Sequence, residues 1–97
     1  MWVFQNVDAE TAPLIFRVSP GAVKTIGRAP SVDLVLDVAL VSRVHCRLEA
    51  GDDGVDVVDL ESTNGTYVND ARVARGRLTD GDRLRVGRVE LRVTRSS

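Results

Sequence analysis

Strict alternation of apolar and polar residues is the feature of this sequence that most narrows its possible folds. In segments 83–86 and 89–95 every second residue is apolar, and charged or polar residues lie between them. Because successive side chains of a β-strand point to opposite faces, this pattern places one set in a core and the arginines in solvent. The predicted inward set is Leu84, Val86, Val89, Leu91 and Val93. Alternation recurs along the chain and no window has helical spacing, so the sequence predicts an all-β protein.

The alternating segments define a series of candidate strands separated by turn-forming residues. The candidates are residues 2–6, 14–18, 23–26, 34–36, 45–50, 55–60, 66–68, 83–86 and 89–94. Gly87-Arg88 joins the last two, and glycine in its first position suits a type II′ hairpin turn. Many short strands with regular turns are typical of a sandwich or a barrel.

The composition suits one small domain. The chain has 97 residues, 43% of them hydrophobic, and no repeat or linker-like segment divides it, so residues 1–97 are predicted to form a single domain. Cys46 has no disulfide partner and His45 is the only histidine, which argues against a metal site. With no signal-peptide pattern and no long apolar run, we expect a cytoplasmic protein without membrane contact.

Charge excludes one class of partner. A formal net charge of -1 gives no general attraction for nucleic acid. The charges are nevertheless uneven, with acidic residues concentrated between Asp33 and Asp70 and arginines between Arg72 and Arg95. Because the arginines alternate with apolar residues, we interpret them as the solvated face of strands. A basic sheet face that docks an acidic partner remains an alternative.

Three polar motifs lie where one alternating segment gives way to the next. They are Gly27-Arg28, Ser42-x-x-His45 and Ser62-Thr63-Asn64-Gly65-Thr66. The fixed donors of an arginine, two hydroxyl groups and an asparagine amide form a set suited to phosphate oxygens and to an adjacent peptide backbone.

In order and spacing these motifs, together with Asn69, Gly81-Asp82 and Gly87, resemble the signature of forkhead-associated (FHA) domains over nearly the whole chain. The resemblance implies a β-sandwich of two twisted, mostly antiparallel sheets, with the ligand-binding loops at one end. It also implies a signalling or assembly module that recognises phosphothreonine in an extended peptide of a partner protein. A Ser/Thr kinase would act upstream, and no cofactor is expected.

The resemblance assigns a role to each polar residue of the motifs. Arg28 would give charge-assisted hydrogen bonds to the phosphate, and Arg43 would add a second cation. Ser42 and Thr63 would donate their hydroxyl groups. Asn64 would bond the peptide backbone beside the phosphorylated residue.

Gly27, His45 and Gly65 are assigned to structural support of the site. The resemblance implies that His45 braces the binding loops through hydrogen bonds without touching the ligand. Asn64-Gly65 is also a strong hairpin signal, so we predict that Gly65 forms a turn and that Asn64 uses it.

Simpler roles compete with these assignments. Taken singly, Arg28 is better explained as an exposed arginine past a strand, and Ser42 and Thr63 as hydroxyls that bond their own backbone. The context of the other motifs favours the ligand role for Ser42 and leaves the two roles of Thr63 evenly balanced. A nucleophile and base at Ser42 and His45 would need an orienting carboxylate and an oxyanion site, which the sequence does not reveal, so we expect no enzyme. The rival function is a phosphorylation-independent scaffold of the same fold, which joins partners through its sheet faces.

Overall fold

The computed structural model describes residues 1–7 and 13–96, and β-strands are the only regular secondary structure in that part of the chain. The all-β prediction is therefore confirmed. The strands in chain order are β1 (Trp2–Asn6), β2 (Ile15–Val18), β3 (Val23–Gly27), β4 (Leu34–Val35), β5 (Cys46–Ala50), β6 (Val55–Asp59), β7 (Thr66–Val68), β8 (Ala71–Val73), β9 (Arg75–Leu78), β10 (Arg83–Val86) and β11 (Val89–Arg95). Among the described residues, no helix is long and apolar enough to cross a bilayer.

The strands form two sheets that pack face to face. One sheet has six strands in the order β2-β1-β11-β10-β7-β8, and the other has five in the order β4-β3-β5-β6-β9. The strand pairs are antiparallel apart from β3 and β4, which run parallel. The predicted sandwich of mostly antiparallel sheets is confirmed.

Inward-facing residues of both sheets share one hydrophobic core. All five residues predicted to point inward from β10 and β11 are buried. Trp2 and Phe4 of β1 are buried beside them, and the indole N–H of Trp2 donates a 2.8 Å hydrogen bond to the carbonyl of Gly51. Each large apolar side chain buried in this way stabilises the fold by about 1.5–3 kcal/mol. Cys46 is completely buried in the same core.

Two strands were not predicted, namely β8 and β9. Their segment is rich in arginine and contains Gly76, so its alternation with apolar residues is weak. Both are edge strands, β8 of the six-stranded sheet and β9 of the five-stranded sheet. Edge strands carry charges on their open side, which weakens the apolar pattern that marks an interior strand. The other strands begin and end within one residue of the predicted bounds.

The hairpin turns have backbone conformations that suit their residue types. Gly87 has φ of 61° and Arg88 does not have positive φ, as the predicted type II′ turn requires. Asn69 and Asp70 both have positive φ, at 48° and 70°, and they close the two-residue hairpin between β7 and β8. Asn64-Gly65 does not close a hairpin, because the strands on either side of it lie in different sheets, but Gly65 has a positive φ of 90°, as suits a glycine predicted to form a turn.

Candidate functional site

Three loops meet at one end of the sandwich, and Ser42 lies at their centre. The loops connect β3 to β4, β4 to β5, and β6 to β7. The main-chain N–H of Arg28 donates to the carbonyl of Ser42 at 2.9 Å, and the N–H of Thr63 donates to the hydroxyl oxygen of Ser42 at 3.1 Å. The side-chain amide of Asn64 donates to the carbonyl of Leu40 at 3.1 Å. Segments that are distant in the sequence are therefore fastened to one another.

Because Gly27 has no side chain, the β3–β4 and β4–β5 loops can approach each other closely. A Cβ atom on this residue would lie 2.1 Å from the main-chain oxygen of Arg43, a distance that no side chain could occupy. The same oxygen accepts a 3.0 Å hydrogen bond from the N–H of Ala29. Glycine is needed here for space, and its absent side chain lets Arg28 lie beside Ser42.

The side chain of Arg28 is exposed but anchored. Its Nε–H donates to the carbonyl of Val41 at 3.1 Å. No other partner for the guanidinium occurs among the described residues, so its terminal N–H groups are open to a ligand. An arginine held at Nε presents its two terminal nitrogens together, which is the arrangement that binds two oxygens of one anion.

A cleft of about 390 Å³ lies between the three loops. Four of the five residues predicted to bind the phosphopeptide line it, and the lining consists of Arg28, Ala39, Leu40, Val41, Ser42, Thr63 and Asn64. The fifth predicted residue, Arg43, is exposed next to Ser42 but does not line the cleft. The cleft thus offers one cation, two hydroxyl groups and an amide around a concave surface.

His45 is completely buried beneath this cleft and links two loops. Its Nδ1 accepts a 3.0 Å hydrogen bond from the main-chain N–H of Ser42, so Nδ1 carries no proton. The proton of the neutral ring must then be on Nε2, which donates to the carbonyl of Gly65 at 2.8 Å. Both ring nitrogens are engaged by the backbone, and neither is bonded to the Ser42 hydroxyl.

An aspartate at the end of β6 organises the third loop, and its role was not predicted. The Asp59 carboxylate accepts hydrogen bonds from the hydroxyls of Ser62 and Thr66, at 2.5 Å and 2.8 Å, and from the N–H of Ser62 at 3.2 Å. The Ser62 oxygen in turn accepts the N–H of Gly65 at 3.0 Å. The sequence mark for this network is the three-residue spacing from Asp59 to Ser62, which is typical of an aspartate that caps a turn.

These contacts shift the pKa of Asp59 below its ordinary value of 3.8. Partial burial raises the pKa, but the hydrogen bonds from Ser62 and Thr66 favour the charged form and together outweigh burial. The carboxylate is therefore ionised at neutral pH, and it fixes the backbone that carries Thr63 and Asn64.

Leu40 has an unusual backbone conformation at the cleft. Its φ is 73°, in the left-handed region that costs a residue with a side chain about 1–2 kcal/mol. Its carbonyl accepts the amide of Asn64, and the turn between β10 and β11 packs behind it. A Cβ on Gly87 would lie 2.9 Å from a methyl carbon of Val41 and 3.1 Å from the main chain of Leu40. The sequence offers no sign of this strain, because leucine is not a residue that favours positive φ.

The fold and the loop cluster together define a β-sandwich that presents a polar, anion-compatible cleft from loops at one end. The chain belongs to the FHA domain family, whose model matches residues 24–87.

Proteins similar to this chain in sequence include two from Mycobacterium tuberculosis strain H37Rv. The chain is 44% identical over 72 residues to the ABC transporter ATP-binding/permease protein Rv1747, an alignment that covers 74% of this chain and 8% of that protein. It is 39% identical over 70 residues to the glycogen accumulation regulator GarA, covering 72% of this chain and 43% of GarA. The chain therefore spans less than half the length of these relatives.

The fold also matches solved FHA structures. One of them comes from a structural and functional analysis of phosphothreonine-dependent FHA domain interactions. It superposes with a TM-score of 0.83 at 32% identity, and the match covers 99% of this chain and 97% of that one.

Proposed function

We propose that this domain binds phosphothreonine in an extended segment of a partner protein and thereby assembles complexes that depend on a Ser/Thr kinase. The observation that carries the proposal is the convergence of Arg28, Ser42 and Asn64, from three separate loops, on one cleft. Membership of the FHA family and the likeness to a domain studied for phosphothreonine-dependent interactions support the same conclusion. A cytoplasmic location belongs to this proposal.

The proposed contacts follow from the donors in the cleft. The terminal N–H groups of Arg28 would bind two phosphate oxygens, and the hydroxyls of Ser42 and Thr63 would donate to the remaining ones. The Ser42 oxygen already accepts the N–H of Thr63, so its own proton is free for donation. Asn64 keeps its amide oxygen and one N–H for the peptide backbone, since only one of its amide hydrogens is used by Leu40.

Arg43 would add longer-range attraction from the rim. It neighbours Ser42 and has no side-chain partner among the described residues. An exposed flexible cation of this kind contributes about 0–1 kcal/mol, less than the anchored Arg28.

Affinity in the micromolar range is expected for a short peptide. A phosphate carries about -1.5 to -2 charges at neutral pH, and each hydrogen bond to a charged group contributes about 1.5–3 kcal/mol. Loss of translational freedom and ordering of the peptide offset much of this sum, which leaves about -8 kcal/mol. Binding would then be reversible on the timescale of signalling.

The proposal is one of binding without catalysis. Both nitrogens of His45 are bonded to main-chain groups, so the ring does not serve as a base for the Ser42 hydroxyl. A nucleophilic serine requires such a base within hydrogen-bond reach.

The proposal is tested by titration calorimetry with two peptides: a phosphothreonine peptide selected from a peptide library, and its unphosphorylated copy. We expect binding of the phosphorylated peptide alone, and Arg28→Ala should weaken it by about 2–3 kcal/mol. Arg17→Ala is the matched control, because Arg17 lies on β2 at the far edge of the sheet and should leave affinity unchanged. Equal binding of both peptides, or unchanged phosphate dependence in Arg28→Ala, would contradict the proposal.

Titrations repeated at several salt concentrations and after phosphatase treatment distinguish the proposed function from the rival scaffold function. A partner that docks on a charged sheet face would lose affinity steeply with added salt and would be indifferent to phosphatase treatment. A phosphothreonine-dependent partner would be released by phosphatase at any salt concentration.

A further inference from the structure

Arg72 lies against the backbone of the binding loops, although it belongs to the edge strand β8. A Cβ atom on Gly65 would lie 2.7 Å from Nε and 3.0 Å from Cζ of Arg72. The guanidinium therefore rests on the Cα of Gly65, the residue directly after Asn64 of the cleft. Arg72 pairs with Tyr67 in the sheet, and its contact with Gly65 shows that its side chain extends toward the loop end.

Gly65 makes this position possible. With φ of 90° and no side chain, it leaves room for the guanidinium, whereas a Cβ atom there would force the end of the Arg72 side chain to move. Neither Arg72 nor Gly65 lines the cleft, but the guanidinium lies against the residue that directly follows Asn64 of the lining.

The charge of Arg72 is not neutralised within the described residues. The side chain is exposed and has no carboxylate partner there. The arginines of the five-stranded sheet behave differently, since Arg47 and Arg75 bind Glu49 at 2.9 Å and Arg77 binds Asp56 at 3.1 Å. What distinguishes Arg72 from other exposed arginines without a carboxylate partner among the described residues, such as Arg17, is its contact with Gly65, the residue directly after Asn64 of the cleft.

We propose that Arg72 is a specificity-determining residue that binds an acidic side chain of the phosphothreonine peptide. The inference rests on the proposed function. If Asn64 holds the peptide backbone beside the phosphothreonine, the peptide on that side of the phosphate continues over Gly65 and meets the guanidinium. The planar fork of arginine binds a carboxylate through two parallel hydrogen bonds, a geometry that a lysine or an amide does not reproduce.

A peptide scan tests the assignment. The probes are phosphothreonine peptides in which each position within three residues of the phosphothreonine carries Glu or its neutral counterpart Gln. The wild-type domain should prefer Glu at one position by about three- to fivefold, the effect of an exposed ion pair. Arg72→Gln should abolish that preference while keeping the distinction between phosphorylated and unmodified peptide. Arg72→Glu should reverse the preference, so that Gln is bound more tightly than Glu at the same position.

Arg17→Gln is the matched control, because Arg17 is an exposed arginine on β2, at the opposite edge of the same sheet, and has no side-chain partner in the part of the chain that the structure describes. It should keep the Glu preference. An unchanged preference in Arg72→Gln, or an equal loss in Arg17→Gln, would overturn the assignment of Arg72. Loss of the distinction between threonine and phosphothreonine in the wild-type domain is a separate result, and it would overturn the proposed function.

Discussion

The main-chain N–H of Ser42 donates a 3.0 Å hydrogen bond to Nδ1 of His45, three residues further along the chain. Through its other nitrogen the same ring holds the carbonyl of Gly65. One buried side chain thus ties the loop before β5 to the loop before β7, and all the residues that line the cleft except Arg28 lie on those two loops. The Ser42-x-x-His45 spacing is explained by this contact, because the chain must turn back for the ring to reach the Ser42 backbone.

His45→Ala is expected to lower the free energy of unfolding by about 2–4 kcal/mol, because it leaves a buried cavity and two main-chain groups without a partner. Peptide affinity, measured well below the melting temperature, should fall by a smaller amount. Urea unfolding and calorimetric titration of the same variant give the two quantities.

Ser42→Ala is the matched comparison and should show the opposite balance. It removes an acceptor for the N–H of Thr63 and a proposed phosphate donor, both at the exposed surface. Stability should change by about 0.5–1 kcal/mol, whereas affinity should fall about tenfold. If His45→Ala abolishes binding without loss of stability, the histidine contacts the ligand and the bracing role is wrong.

Gly27→Ala should destabilise the domain by about 3 kcal/mol, because its Cβ would collide with the main chain of Arg43, which cannot move aside cheaply. Gly21→Ala provides the control. Gly21 has φ of 90° but open space around its Cβ, so this change should cost only about 1 kcal/mol in backbone strain. Chemical unfolding of both variants separates steric collision from strain, and equal costs would contradict the close approach of the loops.

Much of this fold could be read from the sequence because a strand with one buried face carries period-two alternation. That pattern located β5, β6, β10 and β11, whose alternate residues fill the core. It failed for β8 and β9, whose Arg72, Arg75 and Arg77 face outward from edge positions where burial imposes little pattern.

The candidate site was less fully predictable, since several of its contacts depend on the path of the loops in space. Arg28, Ser42 and Asn64 could be singled out because the chemistry resides in their side chains. Asp59 acts only through bonds to Ser62 and Thr66, and Leu40 contributes a backbone carbonyl in a conformation that its side chain does not favour. Such roles depend on which segments the fold brings together, and residue type does not reveal them.

Binding should weaken at acidic pH through the ligand. The second ionisation of a phosphate monoester has a pKa near 6, so a site that requires the dianion should lose about tenfold in affinity between pH 7.5 and pH 5. Calorimetry across this range measures the loss. A difluoromethylphosphonate analogue of the peptide, whose phosphonate group is more acidic, is the control and should lose less. A flat profile for the phosphopeptide would contradict dianion recognition.

Stability should also decline in acid through Asp59. Hydrogen bonds from Ser62 and Thr66 hold the pKa of this carboxylate below 3.8 in the folded protein despite partial burial, whereas the unfolded chain has the ordinary value. The unfolded state therefore takes up the proton first. The stabilising contribution is complete above pH of about 4 and is lost as pH falls through the lower folded pKa.

Asp59→Asn removes this contribution at every pH. At pH 7 the free energy of unfolding of the variant should be about 2 kcal/mol lower than that of the wild type, because the hydroxyls of Ser62 and Thr66 lose a charged acceptor. The difference should narrow as urea unfolding is repeated from pH 5 down to pH 3. Asp53→Asn changes the same charge at an exposed turn residue without a side-chain partner among the described residues, and it should follow the wild type throughout. A constant difference between Asp59→Asn and the wild type down to pH 3 would show that the folded protein does not favour the ionised carboxylate.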